Sequence, residues 1–282
     1  RSSPVQVGSL TTWANVYCGY KHTLGVKTDG TLWVWGRNNL GELGLGISGL
    51  MASRSSPVQL GSLTNWSQLD GGWQHSAALK TDGTIWTWGF GNFGALGHGD
   101  YNSRSSPVQV GSLTTWAQIE CGYRFTGAIK TDGTLWTWGE GADGQLGYPM
   151  LTYNNSPVQV GSLTNWSKIE CGFDHTAAIK TDGTLWTWGA GTAGQLGHGD
   201  TISRSSPVQV GSGTDWEEVS CGNDHTMAIK TDGTLWAWGF GNWGQLGTGD
   251  RALYNSPVQI GSDVDWSLVK CGQYHTATIK HV

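Results

Sequence analysis

Three observations predict an all-β fold, a β-propeller built from four-stranded blades. The tetrad S-P-V-Q begins at Ser3, Ser56, Ser106, Ser156, Ser206 and Ser256, at intervals of 53, 50, 50, 50 and 50 residues. Each interval contains four short runs rich in β-branched and aromatic residues. No window shows a sustained 3.6-residue apolar period with helix caps. Four strands in a repeat of about 50 residues is the signature of a propeller blade. The repeats divide the 282 residues into units of approximately 3–55, 56–105, 106–155, 156–205, 206–255 and an incomplete 256–282, which together make one domain.

The elements follow in a fixed order. P-V-Q-V alternates and opens with Pro, which suits the start of a strand. A Trp then begins W-x-x-I-x-C, at Trp13, Trp66, Trp116, Trp166, Trp216 and Trp266. H-T-A-A-I-K and T-L-W-T-W are the third and fourth runs. The tetrapeptide T-D-G-T between them is a strong hairpin signal, because Gly supplies positive φ and Asp tolerates it. A G-Q-L-G-like turn and a variable loop complete the unit. Counting strands gives 23 of 24, with one L-W-T-W strand wanting, so the expectation is a ring of six blades that an upstream strand would complete. The opening Arg1-Ser2-Ser3-Pro4 repeats the interior Arg54, Arg104 and Arg204 contexts, as though another copy preceded it, and a seven-bladed parent is the alternative.

The core H-T-A-A-I-K-T-D-G-T-L-W-T-W-G-x-G-x-x-G-Q-L-G, with S-P-V-Q-V after it, resembles the regulator of chromosome condensation repeat family over essentially the whole chain. The resemblance implies a propeller, for which seven blades is the family norm. It implies no single activity: members include a guanine-nucleotide exchange factor, a plant ultraviolet photoreceptor and a secreted β-lactamase inhibitor.

Composition narrows the function. Gly contributes 45 residues, more than double the usual share, without a Gly-X-Y period, and 18 Trp residues are incompatible with a disordered linker. Sixteen basic against 21 acidic residues leave a net charge of −5, a poor match to a phosphate backbone, so nucleic acid is not an expected partner. No run of 18 apolar residues is present, and no basic stretch followed by an apolar one reads as a signal peptide.

Motifs that look chemical have simpler readings. Gly89-Phe90-Gly91-Asn92-Phe93-Gly94 matches G-x-G-x-x-G, but the dinucleotide site needs a helix next, and Ala-Leu-Gly-His-Gly-Asp follows. C-G-x-x-H sets thiol and imidazole four apart at Cys18/His22, Cys171/His175, Cys221/His225 and Cys271/His275, suggesting half a zinc site or a nucleophile pair. Gly71 in place of Cys and Phe125 in place of His count against both. The position therefore wants a small residue, and the His is expected to hydrogen-bond the adjoining turn. No catalytic group, metal or cofactor is assigned. Five Cys residues at one repeat position favour reduced thiols and an intracellular history, with a virion or secreted origin left open.

Binding residues are sought where the copies differ. Alternate turns fall on opposite faces of the disc: G-S-L-T and K-T-D-G barely vary, whereas C-G-x-x-H and W-G-x-G-x-x-G vary freely. Variable loops on a rigid scaffold are where binding resides. The variable pairs include Tyr20-Lys21, Trp73-Gln74, Tyr123-Arg124, Phe173-Asp174 and Gln273-Tyr274, and the outer loops add Phe90, Phe93, Phe240 and Trp243. The template accounts for every Trp except Trp73 and Trp243, both on this face. Aromatic residues with Arg are the usual anchors of interfaces. The expectation is a non-catalytic binding or scaffold propeller that takes a protein partner through Tyr20, Lys21, Trp73, Gln74, Phe90, Phe93, Tyr123, Arg124, Phe173, Phe240, Trp243 and Tyr274. The alternatives are a structural or adhesive subunit of a larger assembly, such as a virion, tail or surface layer, carbohydrate binding by the same rings, and nucleotide exchange by analogy with the family. The insertions at Leu45–Arg54, with Leu50 and Met51, and at Tyr148–Asn154 are candidate edge contacts.

Overall fold

A computed structural model describes residues 6, 12–149 and 152–281. In blade 1 the strands are Trp13–Cys18, His22–Lys27, Leu32–Gly36 and Arg54–Gln59, each paired antiparallel with the next. The same order builds blades 2 to 5, over residues 66–109, 116–159, 166–209 and 216–259, and two strands, Trp266–Cys271 and Thr276–Lys280, begin a sixth. The blades start one strand later than the sequence repeats do. Each P-V-Q segment closes the blade before it, and the first of these, apart from Gln6, lies outside the described residues.

The fourth strand differs from its sequence reading. It begins at Arg or Tyr, three or four residues ahead of the Pro, as in Arg204–Gln209 and Tyr153–Gln159. Pro207 falls within the register shift between the Thr187–Val208 and Gly189–Arg204 pairs. A bulge on an outer edge strand needs no ladder N–H there, so Pro is accommodated inside the strand.

The T-D-G-T hairpin is closed by its own side chains. Asp182 Oδ1 accepts from Thr184 N at 3.0 Å and Thr184 Oγ1 at 2.6 Å, and Thr184 Oγ1 accepts from Trp186 Nε1 at 2.8 Å. Gly183 has φ +76°, and a Cβ there would lie 2.2 Å from the Thr214 carbonyl. Positive φ and that close approach together require Gly. The neighbouring Lys180 lies over the rings of Trp186 and Trp166, with Nζ 3.6 and 4.8 Å from their centroids. Its charge belongs to the scaffold rather than to a free basic surface.

The cores lie between blades rather than within them. Ile129 and Leu135 of blade 3 pack with Trp166, Ile169, Ala178 and Trp188 of blade 4, and the other consecutive pairs repeat the pattern. Trp188 is fully buried, and its indole donates to the Gln145 carbonyl of blade 3 at 2.9 Å. Thr176 Oγ1 donates to the same carbonyl at 2.8 Å. One carbonyl in each G-Q-L-G turn thus latches two side chains of the next blade. Burying both donors with a partner avoids the cost of an orphaned polar group.

The first strands of the blades are innermost. Their fifth residues, Tyr17, Asp70, Glu120, Glu170, Ser220 and Lys270, come from one template position and differ in chemistry. Lys270 Nζ reaches Glu170 Oε1 at 2.7 Å, passing over blade 5.

Candidate functional site

The variable turns do gather on one face, as backbone hydrogen bonds between them show. Trp73 N donates to the Tyr123 carbonyl at 3.1 Å, Tyr123 N to the Gly172 carbonyl at 3.3 Å, and Phe173 N to the Gly222 carbonyl at 3.2 Å. The bond from Phe90 N to the Gln74 carbonyl, 2.8 Å, ties the outer loop to the turn of the same blade. Each C-G-x-x-H turn therefore sits in fixed register with the next.

That register stacks three rings from three blades. Tyr123 and Phe173 are 3.6 Å apart between centroids at 22°, and Trp73 lies 4.7 Å from Tyr123 at 32°. The Arg124 guanidinium sits 4.5 Å from the Trp73 ring, 4.1 Å from Phe93 and 4.7 Å from Tyr123. Phe90 and Tyr153 meet Phe93 at 5.6 and 5.5 Å. All of these side chains are half-buried except Tyr153, which is exposed. Arg124 also pairs with Glu140 at 3.5 Å. Cation–π contacts of this kind contribute about 0.5–2 kcal/mol each, so the guanidinium fixes the ring positions as well as adding charge.

The remaining candidates fall outside this cluster. Gln74 is buried at 7% exposure and presents no side chain to a partner. Tyr20 is exposed, with Lys21 Nζ 4.8 Å from its ring, and stands at the near end of the turn row. Phe240 is half-buried in blade 5. Trp243, at 71% exposure, and Tyr274, at 52%, flank a separate hollow beside the sixth blade. Of the insertions, Leu50 to Ala52 form a single 3₁₀ turn with Met51 97% exposed. In the other, Tyr148 Oη donates to the Thr137 carbonyl, while Met150 and Leu151 lie outside the described residues.

Acidic groups border the rings. Burial, followed by the charges of Asp143, Glu140 and Asp224, raises the Asp174 carboxyl to about 7. Burial likewise raises Glu140, against the opposing pull of Arg124, and raises Asp224. The cluster offers stacked rings, one planar cation and a carboxyl, Asp174, that takes up a proton near neutrality.

The imidazoles are not bonded to the adjoining turn. His75 Nε2 meets Thr126 Oγ1 of the next blade at 3.1 Å, His175 meets Thr226 at 3.0 Å, and His22 meets Ser76 at 2.9 Å. Burial lowers His75 and His175 to about 3 and His22 and His225 to about 4, so all four are neutral. A Cβ on Gly172 would lie 2.5 Å from the His175 ring, which explains the Gly of C-G-x-x-H. Burial pushes the thiols of Cys121, Cys171 and Cys221 well up, away from thiolate chemistry. Among the described residues, no three His, Cys, Asp or Glu side chains converge as metal ligands would.

Sequence reasoning missed the axial cavity of about 400 Å³, lined by Gln68, Gln118, Glu120, Lys168, Glu170 and Lys270. Burial raises Glu120, as do the nearby Glu170 and Asp70 charges. Unlike residues at one strand position, Asp70 to Lys270, were the available signal, and attention to turns alone passes over them.

Taken together, five complete blades and the row of variable turns define a repeat propeller with one patterned aromatic face. The model of the regulator of chromosome condensation (RCC1) repeat matches residues 29–79, 82–129, 132–179, 182–229 and 232–279, and a second model of the same repeat matches five segments between 13 and 245. The chain belongs to this family. It is 38% identical over 87 residues to the ultraviolet-B receptor UVR8 of Arabidopsis thaliana, covering 30% of this chain and 19% of the receptor. It is also 38% identical over 91 residues to the probable E3 ubiquitin-protein ligase HERC3 of Homo sapiens, covering 32% of this chain and 8% of that protein. The chain spans only a small part of the length of these relatives. Among solved structures, human WBSCR16 superposes with a TM-score of 0.86 at 24% identity, over 96% of this chain and 72% of that one. Prp20p of Saccharomyces cerevisiae gives 0.80 at 21%, over 93% and 67%. These are likenesses of fold. Prp20p is described as binding Gsp1p and histones, and has been solved bound to Kap60. No helix among the described residues is long and apolar enough to cross a membrane.

Proposed function

We propose that the chain is a non-catalytic binding propeller that recognises a protein partner through the aromatic turn face of blades 2 to 4. The observation that carries this reading is the stack Trp73–Tyr123–Phe173 with the Arg124 guanidinium against it. Large rings and Arg are the residue types that dominate binding energy at protein interfaces. Here they are ordered before any partner arrives, because inter-turn backbone bonds set their spacing, so little side-chain entropy remains to be lost. The buried neutral imidazoles and raised thiols serve packing, which supports a role without catalysis. That Prp20p, of the same fold, binds proteins is consistent with a protein partner for this one.

Affinity capture from the native source tests the reading. The Trp73→Ala/Tyr123→Ala variant is expected to lose the captured partner by about 100-fold in affinity, the scale of a lost interface anchor pair. Its melting temperature stays within about 2 °C of the parent, since these rings lie outside the inter-blade cores. Equal capture by both proteins would remove this face from consideration.

A further inference from the structure

The aromatic stack stops at blade 4, and charge takes over. Phe173 is its last ring, and blade 5 has Asn223 at the same turn position. The outer loop of blade 4 is also cut down. Blades 2, 3 and 5 open that loop with Phe90, Glu140 and Phe240 and carry Phe93, Asp143 and Trp243 three residues on. Blade 4 has Ala190 and Ala193 there. Two methyls in place of rings or carboxyls leave a notch in the face between the loops of blades 3 and 5. Ala190 N donates to the Asp174 carbonyl at 2.7 Å, so the shortened loop lies directly beside that residue.

Carboxyls without partners border the notch. Asp174 and Asp224 are half-buried and Asp143 is exposed. Among the described residues, no cation pairs with any of the three. No hydrogen bond among those residues offsets the burial of the Asp174 and Asp224 carboxyls. The cations of the same face are engaged elsewhere. Lys21 lies over the Tyr20 ring at 4.8 Å, Arg37 pairs with Glu42 at 3.5 Å, and Arg124 is held by Glu140 and three rings. A half-buried carboxylate without a partner is costly, so the charge that complements this notch has to come from outside.

Building on the aromatic face as the binding surface, we propose that its protein partner inserts an Arg side chain into this notch. The guanidinium lies on the side of Phe173 turned away from Tyr123 and forks its N–H groups to Asp174 and Asp224. Arg suits the position better than Lys, because its plane stacks on a ring and its parallel donors match carboxylates. An apolar residue next to it in the partner covers Tyr123 and Trp73. Asp143, exposed at the rim, draws the cation in from a distance. The rings thus supply contact area, and the notch selects a basic segment over an acidic one.

The test titrates a fluorescein-labelled peptide, Gly-Leu-Arg-Leu-Arg-Gly, against the full chain and follows anisotropy. Saturable binding is expected. Replacing each Arg of the peptide by citrulline keeps the shape, removes the charge and should weaken binding about 10-fold or more. That arm leaves the protein unaltered, so it is independent of any folding defect. Asp174→Asn/Asp224→Asn should weaken binding by the same factor, and it relieves unpaired charge rather than creating it. Glu217→Gln/Asp263→Asn removes two charges near the T-D-G-T face and should leave affinity unchanged. No saturable binding at millimolar peptide, or equal losses in both double variants, overturns the proposal. The partner captured through the aromatic face separates the two readings. If Trp73→Ala/Tyr123→Ala releases it and Asp174→Asn/Asp224→Asn does not, the aromatic surface stands and the inserted Arg falls. A dimer in sedimentation that Asp174→Asn/Asp224→Asn disperses would put a second copy's cation in the notch, and overturns a separate partner equally.

Discussion

The two faces of the disc are built on different length scales. On the T-D-G-T face each turn is closed by bonds between residues two apart: Asp182 to Thr184, Thr184 to Trp186. On the aromatic face the bonds join residues 31, 43 and 51 positions apart, as in Thr176 to Gln145, Trp188 to Gln145 and His175 to Thr226. The first face joins its neighbours through a single backbone bond per junction, as from Trp216 N to the Gly183 carbonyl at 3.1 Å, while each turn is closed by its own side chains. The second exists only when neighbouring blades are docked, so it carries both the cohesion of the ring and the surface on which rings from different blades can meet. Near-identical turns are tolerable on the first face because each solves the same local problem. Divergent turns are tolerable on the second because the latches beneath them, not the turn residues, hold the blades together.

The largest break in this contrast is Trp188→Ala. It removes a fully buried ring and the donor to the Gln145 carbonyl, so stability should fall by about 3–5 kcal/mol in chemical denaturation. In a repeat array whose cores lie between consecutive units, the loss should also split the transition, with blades 3 and 4 separating first. A single cooperative transition at unchanged midpoint would contradict inter-blade latching as the source of cohesion.

The pH profile separates the latches from the acidic border. The buried imidazoles have folded values of about 3 to 4 against an ordinary value of 6.5. A lowered folded value means that their contribution is complete above pH 6.5 and is lost as pH falls through 4 to 3. Asp174 has the opposite sign: raised to about 7, its contribution is complete below the usual carboxylate range and is lost as pH rises through 7. Melting temperature should therefore decline on both sides, and Asp174→Asn should remove the alkaline decline while leaving the acid limb intact. An alkaline limb that survives Asp174→Asn would assign it to another group.

The smallest effect sharpens the comparison from the other face. Thr184→Val deletes the hydroxyl that links Asp182 to Trp186, at a cost of about 1 kcal/mol. Because that network lies within one turn, the variant should shift the whole denaturation curve slightly and leave the amide-exchange protection of the Gln145 turn unaltered. Loss of protection across the blade boundary would show that the turns are not autonomous.

Much of this was readable in the sequence. The repeat period, the four strands, the hairpin glycines and the gathering of variable turns on one face follow from spacing and turn chemistry alone. The extension of the fourth strand ahead of Pro207 was not readable, because it depends on a bulge at an outer edge. Gln74 reads as a turn residue beside Trp73, yet it is buried, and only packing decides which member of a variable pair faces out. The His partner lies 51 residues on, a separation that no local spacing encodes.

The sequence by itself determined the elements whose causes are local: strands from alternation, turns from Gly and Asp, and an inter-copy pattern of constancy and change. Tertiary structure alone decided that Trp73, Tyr123 and Phe173 stack while Tyr20 and Phe240 stand apart, and that Glu120, Glu170 and Lys270 share one axial cavity. The physical reason is that ring stacking and charge proximity fall off within a few ångströms, and the distance between residues 50 or 100 positions apart is set by how blades pack, not by the order of residues along the chain.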